Sequence, residues 1–443
     1  MRIDAPKQVR TALQRLSGSG FEAFAVGGCV RDCLLGKTPG DWDITTAALP
    51  SEVETVFSDC RLVETGLRHG TVTVLLDGMS LEITTYRIDG DYKDARHPQS
   101  VTFSRNLRED LARRDFTVNT LCWNEQSGVV DLFDGLKDLN DGVLRAVGEP
   151  ERRFREDALR ILRGVRFAAT LGFSVEPKTA EAILNTRALL EHIAAERIRE
   201  EFTKLLCGKH AGAAIDRFSA VLKVFLPELS ALIGCAQNTP YHCYDVFHHT
   251  LAALDAAPQQ EALRLCMFFH DFGKPACRRV DENGIAHFKG HAAVSASLTE
   301  QILRRLRFSN KTVRHVTRLV EIHDTKAPPG RLQAKKLLAS LGEEDYRALI
   351  AIKRADCRGK AQPHAIDGKL ANMERFLTEI LENGDCVSLH SLAVNGDDLL
   401  AAGVPAGAGL RKTLDWLLDA VIEERCPNEK GALLSFWTEN ASS

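Results

Sequence analysis

The hydrophobic positions of the first 148 residues follow helix spacing and strand spacing in turn. Val9, Leu13 and Leu16 fall on one helical face, which predicts a helix that ends at the glycines after them. FEAFAV and DWDITT each predict a short strand, with a short helix between them. TVTVLLDGMSLEITTYR alternates apolar and polar residues around Asp-Gly, which predicts a hairpin. The pattern therefore predicts an α/β domain at the N-terminus.

The rest of the chain is predicted to be helical. One apolar stripe with helical spacing predicts a single helix that begins at Pro150, and its members are Phe154, Ala158, Ile161, Val165 and Ala169. From about residue 210 onwards no clear alternating strands remain. The predicted fold class is α+β, a small mixed sheet with helices followed by an all-α region. The predicted segments are a head (1–148), a neck (149–210), a body (211–360) and a tail (361–443).

Composition narrows the classes of protein that fit this pattern. The chain of 443 residues is 44% hydrophobic and 26% charged, as in ordinary water-soluble proteins. Its net charge of −3 argues against a protein whose whole surface is basic. No apolar run approaches the ~20 residues of a membrane span. The twelve cysteines form no C-x-x-C pair, so reduced thiols and a cytoplasmic location are expected. Contacts with a nucleic acid would therefore come from local arginine or lysine clusters.

Three carboxylates of the N-terminal domain are expected to converge. Asp41 and Asp43 alternate along one predicted strand and so point to the same side. Glu82 lies between two core-facing residues of the hairpin and points away from the core. Like charges held close repel, and two Mg²⁺ ions would remove that cost and supply phosphoryl-transfer chemistry. Gly27 and Gly28 at the start of a helix complement this site, because bare backbone N–H groups there bind phosphate.

Each of these features also has an ordinary structural explanation, and only the ordered set is specific. D-x-D is common in turns, and Gly-Gly alone says little. In order, however, GGCVRD followed by GDWDITT resembles the class II tRNA nucleotidyltransferase and bacterial poly(A) polymerase superfamily, whose members add nucleotides to RNA 3′ ends. The resemblance implies that Asp41 and Asp43 bind Mg²⁺, with Glu82 as the third carboxylate. It also implies that Gly28 and Arg31 hold a triphosphate.

The arginine-rich segment after Pro150 has two interpretations. One is a solvated helix in which Asp157 and Arg160 form an internal ion pair worth ~0.3–0.5 kcal/mol. The other is base recognition. Cytosine and adenine each present an amino donor beside a ring-nitrogen acceptor, which suit a carboxylate and a guanidinium. Uracil and guanine present the reverse order, and the resulting buried mismatches discriminate strongly.

Further motifs extend the resemblance to the nucleotide site. Glu156, Asp157 and Arg160 match the family's E-D-x-x-R motif, which implies an amino-acid template for the base. LARRDFTVN matches R-R-D-F-T-x-N, which implies that Arg114 contacts the nucleotide with support from Asp115 and Asn119. The nucleotide-binding set also takes in the two arginines that continue the polar side of the helix, Arg163 and Arg166.

One segment separates possible activities within the superfamily. RIDGDYKDARHPQSVTF, residues 87–103, resembles the flexible loop with which CCA-adding enzymes switch from CTP to ATP. The G-R-R-F-like segment that poly(A) polymerases of this superfamily usually carry is replaced by GLRHGTVTVLLDG. Both observations favour an enzyme that can add the terminal A of CCA to tRNA. An A-adding enzyme that works beside a separate CC-adding enzyme remains the nearest alternative.

The second half of the chain carries five clusters of histidine and aspartate between residues 248 and 356. A lone buried histidine is more often a core residue than a ligand, but HDFGK matches the signature of HD-domain phosphohydrolases. The predicted ligands of a first divalent ion, Mn²⁺, Ni²⁺, Co²⁺ or Fe, are His249, His270, Asp271 and Asp356. His291 and His323 could hold a second ion. His248 competes with His249, and Asp324 competes with His323.

The sequence therefore predicts an enzyme that builds tRNA 3′ CCA ends from CTP and ATP, with Mg²⁺ as cofactor and tRNA as partner. An accessory phosphatase or phosphodiesterase activity is expected from the HD segment. The alternative from another class is a phosphohydrolase whose head only binds tRNA. The tail is expected to bind tRNA, and RNA would be recognised by its shape.

Overall fold

The structure, a computed structural model, describes residues 3–63, 70–90 and 101–440. It divides into two compact units. Unit 1 comprises Met1–Ser230 with Arg305–Arg307, and unit 2 comprises Ala231–Arg304 with Phe308–Ser443. The finer division into head, neck, body and tail stays a prediction.

The strands of unit 1 are short, and most of them belong to one sheet. In chain order they are β1 (Ala23–Val26), β2 (Asp43–Thr46), β3 (Arg61–Val63), β4 (Thr71–Leu76), β5 (Met79–Thr85), β6 (Arg87–Asp89), β7 (Val101–Phe103), β8 (Cys122–Asn124), β9 (Gly128–Val130), β10 (Val143–Leu144) and β11 (Ser174–Val175). Within the described residues seven of them form a sheet in the order β3-β4-β5-β2-β1-β8-β9. Strands β2 and β5 run parallel, and the other neighbours in this sheet run antiparallel.

The helices of unit 1 cover the sheet region and continue into a helical segment. They are α1 (Lys7–Gly18), α2 (Gly28–Leu34), α3 (Pro50–Val56), α4 (Leu107–Ala112), α5 (Gly135–Asp141), α6 (Pro150–Glu156), α7 (Leu159–Leu171), α8 (Pro177–Thr186), α9 (Ala195–Leu206), α10 (Ala211–Arg217) and α11 (Ser219–Leu222). Short 3₁₀ turns lie at Thr117–Asn119, Arg187–His192 and Pro227–Ala231.

The predicted elements of the head are confirmed except at the start of β2, which begins at Asp43, so Asp41 precedes the strand instead of alternating with Asp43 along it. Helix α1 buries the three apolar residues that define its face. Strands β4 and β5 form the predicted hairpin around Asp77 and Gly78, whose φ angles are 46° and 80°. Two successive left-handed residues make the turn type that fits the right-handed twist of a hairpin. Glu82 is exposed between buried Leu81 and Ile83, so the strand carries it to the surface as its pattern predicts.

The single helix predicted from Pro150 onwards is wrong. Residues 150–171 form two helices, α6 and α7, with Asp157 and Ala158 between them. Asp157 has φ −136° and ψ 104°, an extended conformation, and its Oδ1 accepts a hydrogen bond from the N–H of Leu159 at 3.1 Å. Aspartate commonly ends one helix and caps the next in this way. The predicted apolar stripe is nevertheless fully buried across both helices.

The remaining helices, which carry unit 2, are α12 (Val246–Ala256), α13 (Glu261–Phe269), α14 (Lys274–Cys277), α15 (His291–Arg305), α16 (Asn310–Ile322), α17 (Arg331–Arg358), α18 (Asp367–Glu382), α19 (Gly396–Ala401), α20 (Ala408–Ile422) and α21 (Lys430–Asn440). A two-stranded ribbon of β12 (Arg279–Val280) and β13 (Ala286–His287) interrupts the helices, which the pattern does not predict. The apolar cores of this region include one between α17 and α18 and one in the C-terminal segment. Among the described helices, none combines the length and apolar character needed to cross a lipid bilayer.

Candidate active sites

The first candidate site lies where β1 ends and α2 begins. Gly27 has φ 84°, a left-handed value that favours glycine. A Cβ at this position would lie 3.3 Å from Nη1 of Arg114, so glycine also permits the close approach of the guanidinium. The Nε of Arg114 is buried and has no hydrogen-bond partner among the described residues. A buried donor without a partner is unusual in a folded protein.

The three predicted carboxylates lie beside this turn. Asp43 and Glu82 are direct partners in the parallel pair of β2 and β5. Desolvation raises the pKa of Asp43 to about 6; Arg114 opposes this shift, and the charges of Asp41 and Glu82 add to it. Elsewhere in the described chain, compact groups have ligand atoms that all lie within 4.8 Å of one another. The oxygens of these three carboxylates are not all that close together. The donor set fits Mg²⁺, which prefers carboxylate oxygen and often keeps several waters.

A chain of hydrogen bonds connects the glycine turn to helix α7. Arg31, in α2, donates to Oδ1 of Asn119 at 2.6 Å, and Asn119 donates to Oδ1 of Asp115 at 2.9 Å. Oδ2 of Asp115 accepts two hydrogen bonds from Arg163, at 2.8 and 2.6 Å. Burial on its own would raise the pKa of Asp115, but the Arg163 charge and the hydrogen bonds from Asn119 and Arg163 outweigh it and hold that pKa below its usual range. The network fixes Arg31 and Arg163 relative to each other.

Positive charge is concentrated around one aromatic ring of α7. The guanidinium carbons of Arg31, Arg163 and Arg166 lie 5.1, 5.5 and 3.7 Å from the centre of the Phe167 ring. Glu201 of α9 is buried behind them, with its oxygens 3.7 Å from Arg163 and 2.6 Å from Arg166. The ring faces and the carboxylate offset the repulsion among the three cations. The arrangement suits a strongly anionic ligand.

Asp157 and Arg160 are held by different partners rather than by each other. The oxygens of Asp157 lie 3.4 and 3.2 Å from the guanidinium nitrogens of Arg197 in α9. Arg160 is buried, and it donates to Glu156 at 3.1 Å and to the carbonyl of Arg113 at 2.8 Å. The internal Asp157–Arg160 ion pair of the first interpretation is therefore absent among the described contacts. Both side chains lie at the break between α6 and α7.

The second candidate site lies in unit 2, where histidines and aspartates from separate helices converge. The Nε2 atoms of His249 and His270 are 3.4 Å apart, and they lie 3.4 and 3.2 Å from Oδ2 of Asp271. Oδ1 of Asp356 lies 3.0 Å from Nε2 of His249. These separations are close to the ~3 Å expected between neighbouring ligands bonded to one metal at 2.0–2.2 Å.

A second group of ligands adjoins the first through Asp271. Its other oxygen, Oδ1, lies 3.4 Å from Nε2 of His291 and 3.9 Å from Nε2 of His323. The two Nε2 atoms are themselves 3.1 Å apart. Each oxygen of one buried aspartate therefore faces a separate pair of histidines. The geometry fits two cations bridged by Asp271.

The four histidines share one orientation. In each ring Nδ1 lies next to a main-chain carbonyl oxygen. The carbonyls that pair with His249, His270, His291 and His323 are those of Gly359, Met267, Phe288 and Val320, respectively. A carbonyl can only accept, so each Nδ1 carries a proton and each Nε2 is directed into the site. Burial would lower the pKa of His270, but Asp271 and Asp356 raise it to about 9, so a proton balances the carboxylates when no cation is bound.

A cavity of about 380 Å³ opens beside these ligands. Lys274, Lys289 and Lys360 line it together with His242. Nζ of Lys274 lies 2.7 Å from Asp271, and Nζ of Lys360 lies 2.6 Å from Asp356. Three lysines beside two candidate metal positions suit an anionic ligand such as a phosphate ester.

Comparison with known protein families covers most of the chain. A model of the poly A polymerase head domain matches residues 23–145. A model of the probable RNA and SrmB-binding site of polymerase A matches residues 172–233, and a model of tRNA nucleotidyltransferase domain 2 matches residues 281–437. Residues 234–280, which carry His249, His270 and Asp271, lie between the last two matches.

Full-length relatives decide the family. The chain is 53% identical over 429 residues to a CCA-adding enzyme of Lactobacillus delbrueckii subsp. bulgaricus, covering 97% of this chain and 96% of that protein. The chain belongs to the CCA-adding enzyme family. A CCA-adding enzyme of Geobacillus kaustophilus is 33% identical over 98% of this chain and 96% of its own length. The crystal structure of the Bacillus stearothermophilus CCA-adding enzyme in complex with CTP matches with a TM-score of 0.76 at 30% identity, over 98% of this chain and 97% of that chain.

Membership of the CCA-adding enzyme family makes the chain a nucleotidyltransferase and confirms the predicted resemblance and fold class. The residue roles stay predictions, and the structure adds their positions. His249 is buried in the ligand cluster, whereas His248 is exposed and contacts Asp245 at 2.7 Å. Asp324 lines the cavity outside both compact groups of the described residues. Residues 91–100 of the segment that resembles the nucleotide-switching loop lie outside the described residues.

Two charged residues of α9, Arg197 and Glu201, are absent from the site predicted from the sequence. They contact Asp157 and the Arg163–Arg166 pair, which precede them by more than 30 positions in sequence. The available signal is their spacing of four residues, which places them on the same face of α9. Sequence spacing alone does not reveal which residues of another helix that face contacts.

Proposed function

We propose that this enzyme completes tRNA 3′ ends by adding C, C and A without a nucleic-acid template, using CTP and ATP and releasing pyrophosphate. The observation that carries the proposal is the pairing of Asp43 with Glu82 in β2 and β5, beside Arg114 and the Gly27 turn. Carboxylates suited to a divalent ion and a guanidinium suited to phosphate lie together at one strand end. Identity to full-length CCA-adding enzymes supports the choice of reaction.

Asp41 and Asp43 are proposed to hold Mg²⁺, with Glu82 as the third carboxylate. The ion, when bound, supplies charge neutralisation and activation of the RNA 3′ hydroxyl for attack on the α-phosphate. The raised pKa of Asp43 supports this role, because the carboxylate lacks enough positive charge in the protein alone. Asp41, Asp43 and Glu82 would hold the ion, and their charges would be offset by it.

The triphosphate is proposed to lie against Gly27, Gly28, Arg31 and Arg114. The guanidinium of Arg114 lies beside the Gly27 turn, which supports this placement. Asn119 and Asp115 hold Arg31 and Arg163 in place through the network described above. Since these hydrogen bonds already exist within the protein, less ordering is needed when the nucleotide binds.

The base is proposed to be selected by Asp157 and Arg160, with Arg163 and Arg166 in support. Asp157 would accept the amino group of cytosine or adenine, and a guanidinium would donate to the ring nitrogen. If this assignment holds, Asp157→Ala relaxes nucleotide choice more than it slows transfer. A variant that still excludes UTP and GTP contradicts it.

Three tRNA substrates test the reaction, ending before CCA, after C and after CC, each with CTP, ATP or both. Extension of all three to a complete CCA end, without use of UTP or GTP, is the expected result. Extension of only the CC-ending tRNA with ATP would instead identify the A-adding partner of a two-enzyme system. Asp41→Ala should abolish extension of every substrate.

We also propose a second activity, hydrolysis of a phosphate ester in unit 2. Convergence of four histidine Nε2 atoms and two buried or half-buried aspartates on a cavity with three lysines favours it. A divalent transition metal fits these nitrogen and carboxylate donors, and it supplies an activated water when bound. Hydrolysis of bis-p-nitrophenyl phosphate with Mn²⁺ or Ni²⁺ should persist in Asp41→Ala and disappear in His270→Ala. Equal hydrolysis by both variants contradicts the assignment.

The proposed partners are tRNA, CTP and ATP, and the proposed location is the cytoplasm, where these three substrates occur together. Binding of tRNA by the C-terminal segment stays part of the proposal. A truncation is a poor test, because residues of the C-terminal core pack against one another. Charge-reversal variants of exposed lysines in this segment, measured for tRNA affinity at two salt concentrations, provide a better one.

A further inference from the structure

A second cavity adjoins the proposed phosphate-ester site of unit 2, and neither the sequence motifs nor the predicted ligand sets assign it a role. Its volume is about 640 Å³, and the side chains that line it include Lys326, Lys353 and Lys369. We propose that this lysine pocket is the subsite for a second phosphate group, so that the ester hydrolysed in unit 2 is a nucleotide with two phosphates. The proposal rests on the proposed hydrolysis in unit 2 and deepens it by naming the class of substrate.

The lysine pocket is contiguous with the cavity beside the metal ligands. Asp324 lines both cavities. Helix α17 also borders both, because Lys353 lines the lysine pocket, whereas Asp356 and Lys360 line the cavity with the metal ligands. Residues three and seven positions apart lie along one side of a helix. A single molecule can therefore extend from the metal positions into the lysine pocket.

The lysines of the pocket differ from those beside the metal ligands in lacking a paired carboxylate. Nζ of Lys274 and Nζ of Lys360 lie 2.7 and 2.6 Å from a carboxylate oxygen of the predicted ligands. By contrast, the three pocket lysines form no ion pair with a carboxylate of the described residues. Burial lowers the pKa of Lys353, and the charges of Asp356 and Asp324 oppose that shift without cancelling it. A phosphate bound in the pocket would supply the missing negative charge.

The pocket also has apolar walls. Pro328 and Pro329 form one part of them, and Ile366 and Leu370 at the start of α18 form another. Inorganic phosphate alone would leave this apolar surface in contact with water. A nucleoside suits it better, since ligand sites usually combine apolar walls with a few polar groups that fix orientation. The lining of the pocket therefore favours a nucleotide over a purely inorganic anion.

The second phosphate takes part in binding and not in the reaction. Hydrolysis at the metal ligands consumes one water and releases one inorganic phosphate, and no bond at the second phosphate is made or broken. Its contacts with the lysines hold the substrate in one orientation relative to the metal positions. The effect of the lysines should therefore be confined to substrates with two phosphates.

The test measures the phosphate that the full-length protein releases from three substrates with Mn²⁺. Adenosine 3′-monophosphate has one phosphate, adenosine 3′,5′-bisphosphate has two on one nucleoside, and the dinucleotide ApAp has a 3′ phosphate next to a phosphodiester. The variant Lys353→Gln/Lys369→Gln removes two charges from the pocket. Lys311→Gln removes an exposed charge of α16 that lines neither cavity, and it serves as the matched control.

We expect the double variant to lower kcat/KM by about tenfold or more for a substrate with two phosphates, the loss of one hydrogen bond to a charged group. Its kcat/KM for the monophosphate should equal that of the wild type, and Lys311→Gln should match the wild type with every substrate. The probe that shows the larger loss identifies the source of the second phosphate. A larger loss with the bisphosphate indicates a single nucleoside, and a larger loss with ApAp indicates an RNA end.

A second readout needs neither metal nor turnover. In EDTA, acylation of amines by acetic anhydride followed by peptide mass spectrometry measures the reactivity of each lysine separately, so nucleotide bound in unit 1 does not interfere. Adenosine 3′,5′-bisphosphate should slow the acylation of Lys326, Lys353 and Lys369 and leave that of Lys311 unchanged. Adenosine, which has no phosphate, should protect none of them.

Three results would overturn the proposal: an equal loss of kcat/KM for all three substrates, no loss for any of them, or no protection of the pocket lysines by the bisphosphate. The first is the signature of a merely structural role. If the wild type releases no metal-dependent phosphate from any substrate, the proposed hydrolysis fails, and lysine protection still reports on the pocket, so the two failures are distinguishable. Thermal melting checks folding, and Lys326→Gln, at an exposed position, carries the test if the double variant does not fold.

Discussion

Asp271 is expected to hold two metal ions at once, and replacing it with asparagine tests this directly. Its Oδ2 faces His249 and His270 at 3.4 and 3.2 Å, and its Oδ1 faces His291 and His323 at 3.4 and 3.9 Å. An asparagine side chain at this position would have one neutral oxygen and one amide group that cannot bind a cation. In the asparagine variant, the first metal position keeps His249, His270 and Asp356 as ligands. The second metal position keeps only His291 and His323.

The expected loss follows from the number of ligands that remain. Removing a side chain that merely supports a ligand lowers metal affinity by about 10–100-fold, so loss of a charged ligand should cost at least about 100-fold. That factor corresponds to about 2.8 kcal/mol. The second site, left with two neutral ligands, should no longer be filled at micromolar Mn²⁺. We therefore expect two ions per chain in the wild type and one or fewer in Asp271→Asn.

Equilibrium dialysis against Mn²⁺, followed by elemental analysis, measures this stoichiometry. Every protein carries Asp41→Ala and Asp43→Ala, so that the head contributes no ion. His323→Ala should keep one ion, and Asp324→Asn, which changes a cavity residue outside both groups, should keep two. The bridge is refuted if Asp271→Asn binds two ions with the affinity of the protein that carries only Asp41→Ala and Asp43→Ala.

Three further predictions concern other parts of the site. Desolvation raises the pKa of Asp43 from its ordinary value of 3.8 to about 6, so the folded protein without metal binds a proton at Asp43 more tightly than the unfolded chain does. The stability that this proton contributes is present below pH 3.8 and is lost as the pH rises to 6. In EDTA, the melting-temperature advantage of Asp43→Asn should grow across that interval and then level off; an advantage independent of pH contradicts this. Glu201→Gln should destabilise unit 1 by about 1.5–3 kcal/mol in urea denaturation and raise KM for CTP and ATP together, because it removes the buried charge that contacts two half-buried arginines, Arg163 and Arg166. Gly273→Ala should lower the melting temperature and weaken Mn²⁺ binding, because its Cβ would lie 2.5 Å from the carbonyl of His291 and 2.6 Å from the N of Ser295. A melting temperature of Gly273→Ala equal to that of the wild type would contradict this prediction and show that α15 moves to accommodate the added methyl group.

The parts of the fold predicted from sequence are those with a local signal. The β4–β5 hairpin depends on a turn dipeptide between alternating residues, and both are consecutive in the chain. The break at Asp157 had a weak local signal, since aspartate is a common helix cap, but the continuous apolar stripe concealed it. Stripe continuity requires only that the apolar residues face one core. It does not require one uninterrupted helix.

The candidate sites show the same limit. Histidine and aspartate types indicated a metal centre, yet the division of the ligands between the two oxygens of Asp271 depends on how four helix ends meet. The contact of Arg197 with Asp157 joins residues 40 positions apart, and Glu201 reaches Arg163 across 38. These contacts depend on how α9 packs against α7. The spacing of residues within one helix does not predict that packing. Sequence therefore indicates which chemistry is present before it indicates which side chains act together.

The chain of hydrogen bonds from Arg31 through Asn119 and Asp115 to Arg163 has a consequence for the evolution of this protein. The first and last residues of this hydrogen-bond network, Arg31 and Arg163, belong to segments that match different motifs. Neither of them can be replaced alone without leaving a buried polar group unsatisfied. A lineage that replaces Arg31 or Arg163 must therefore also change the residues that connect them. Laboratory variants of these residues should meet the same barrier, and libraries that vary Asn119, Asp115 and Arg163 together should yield functional variants that single-site libraries miss.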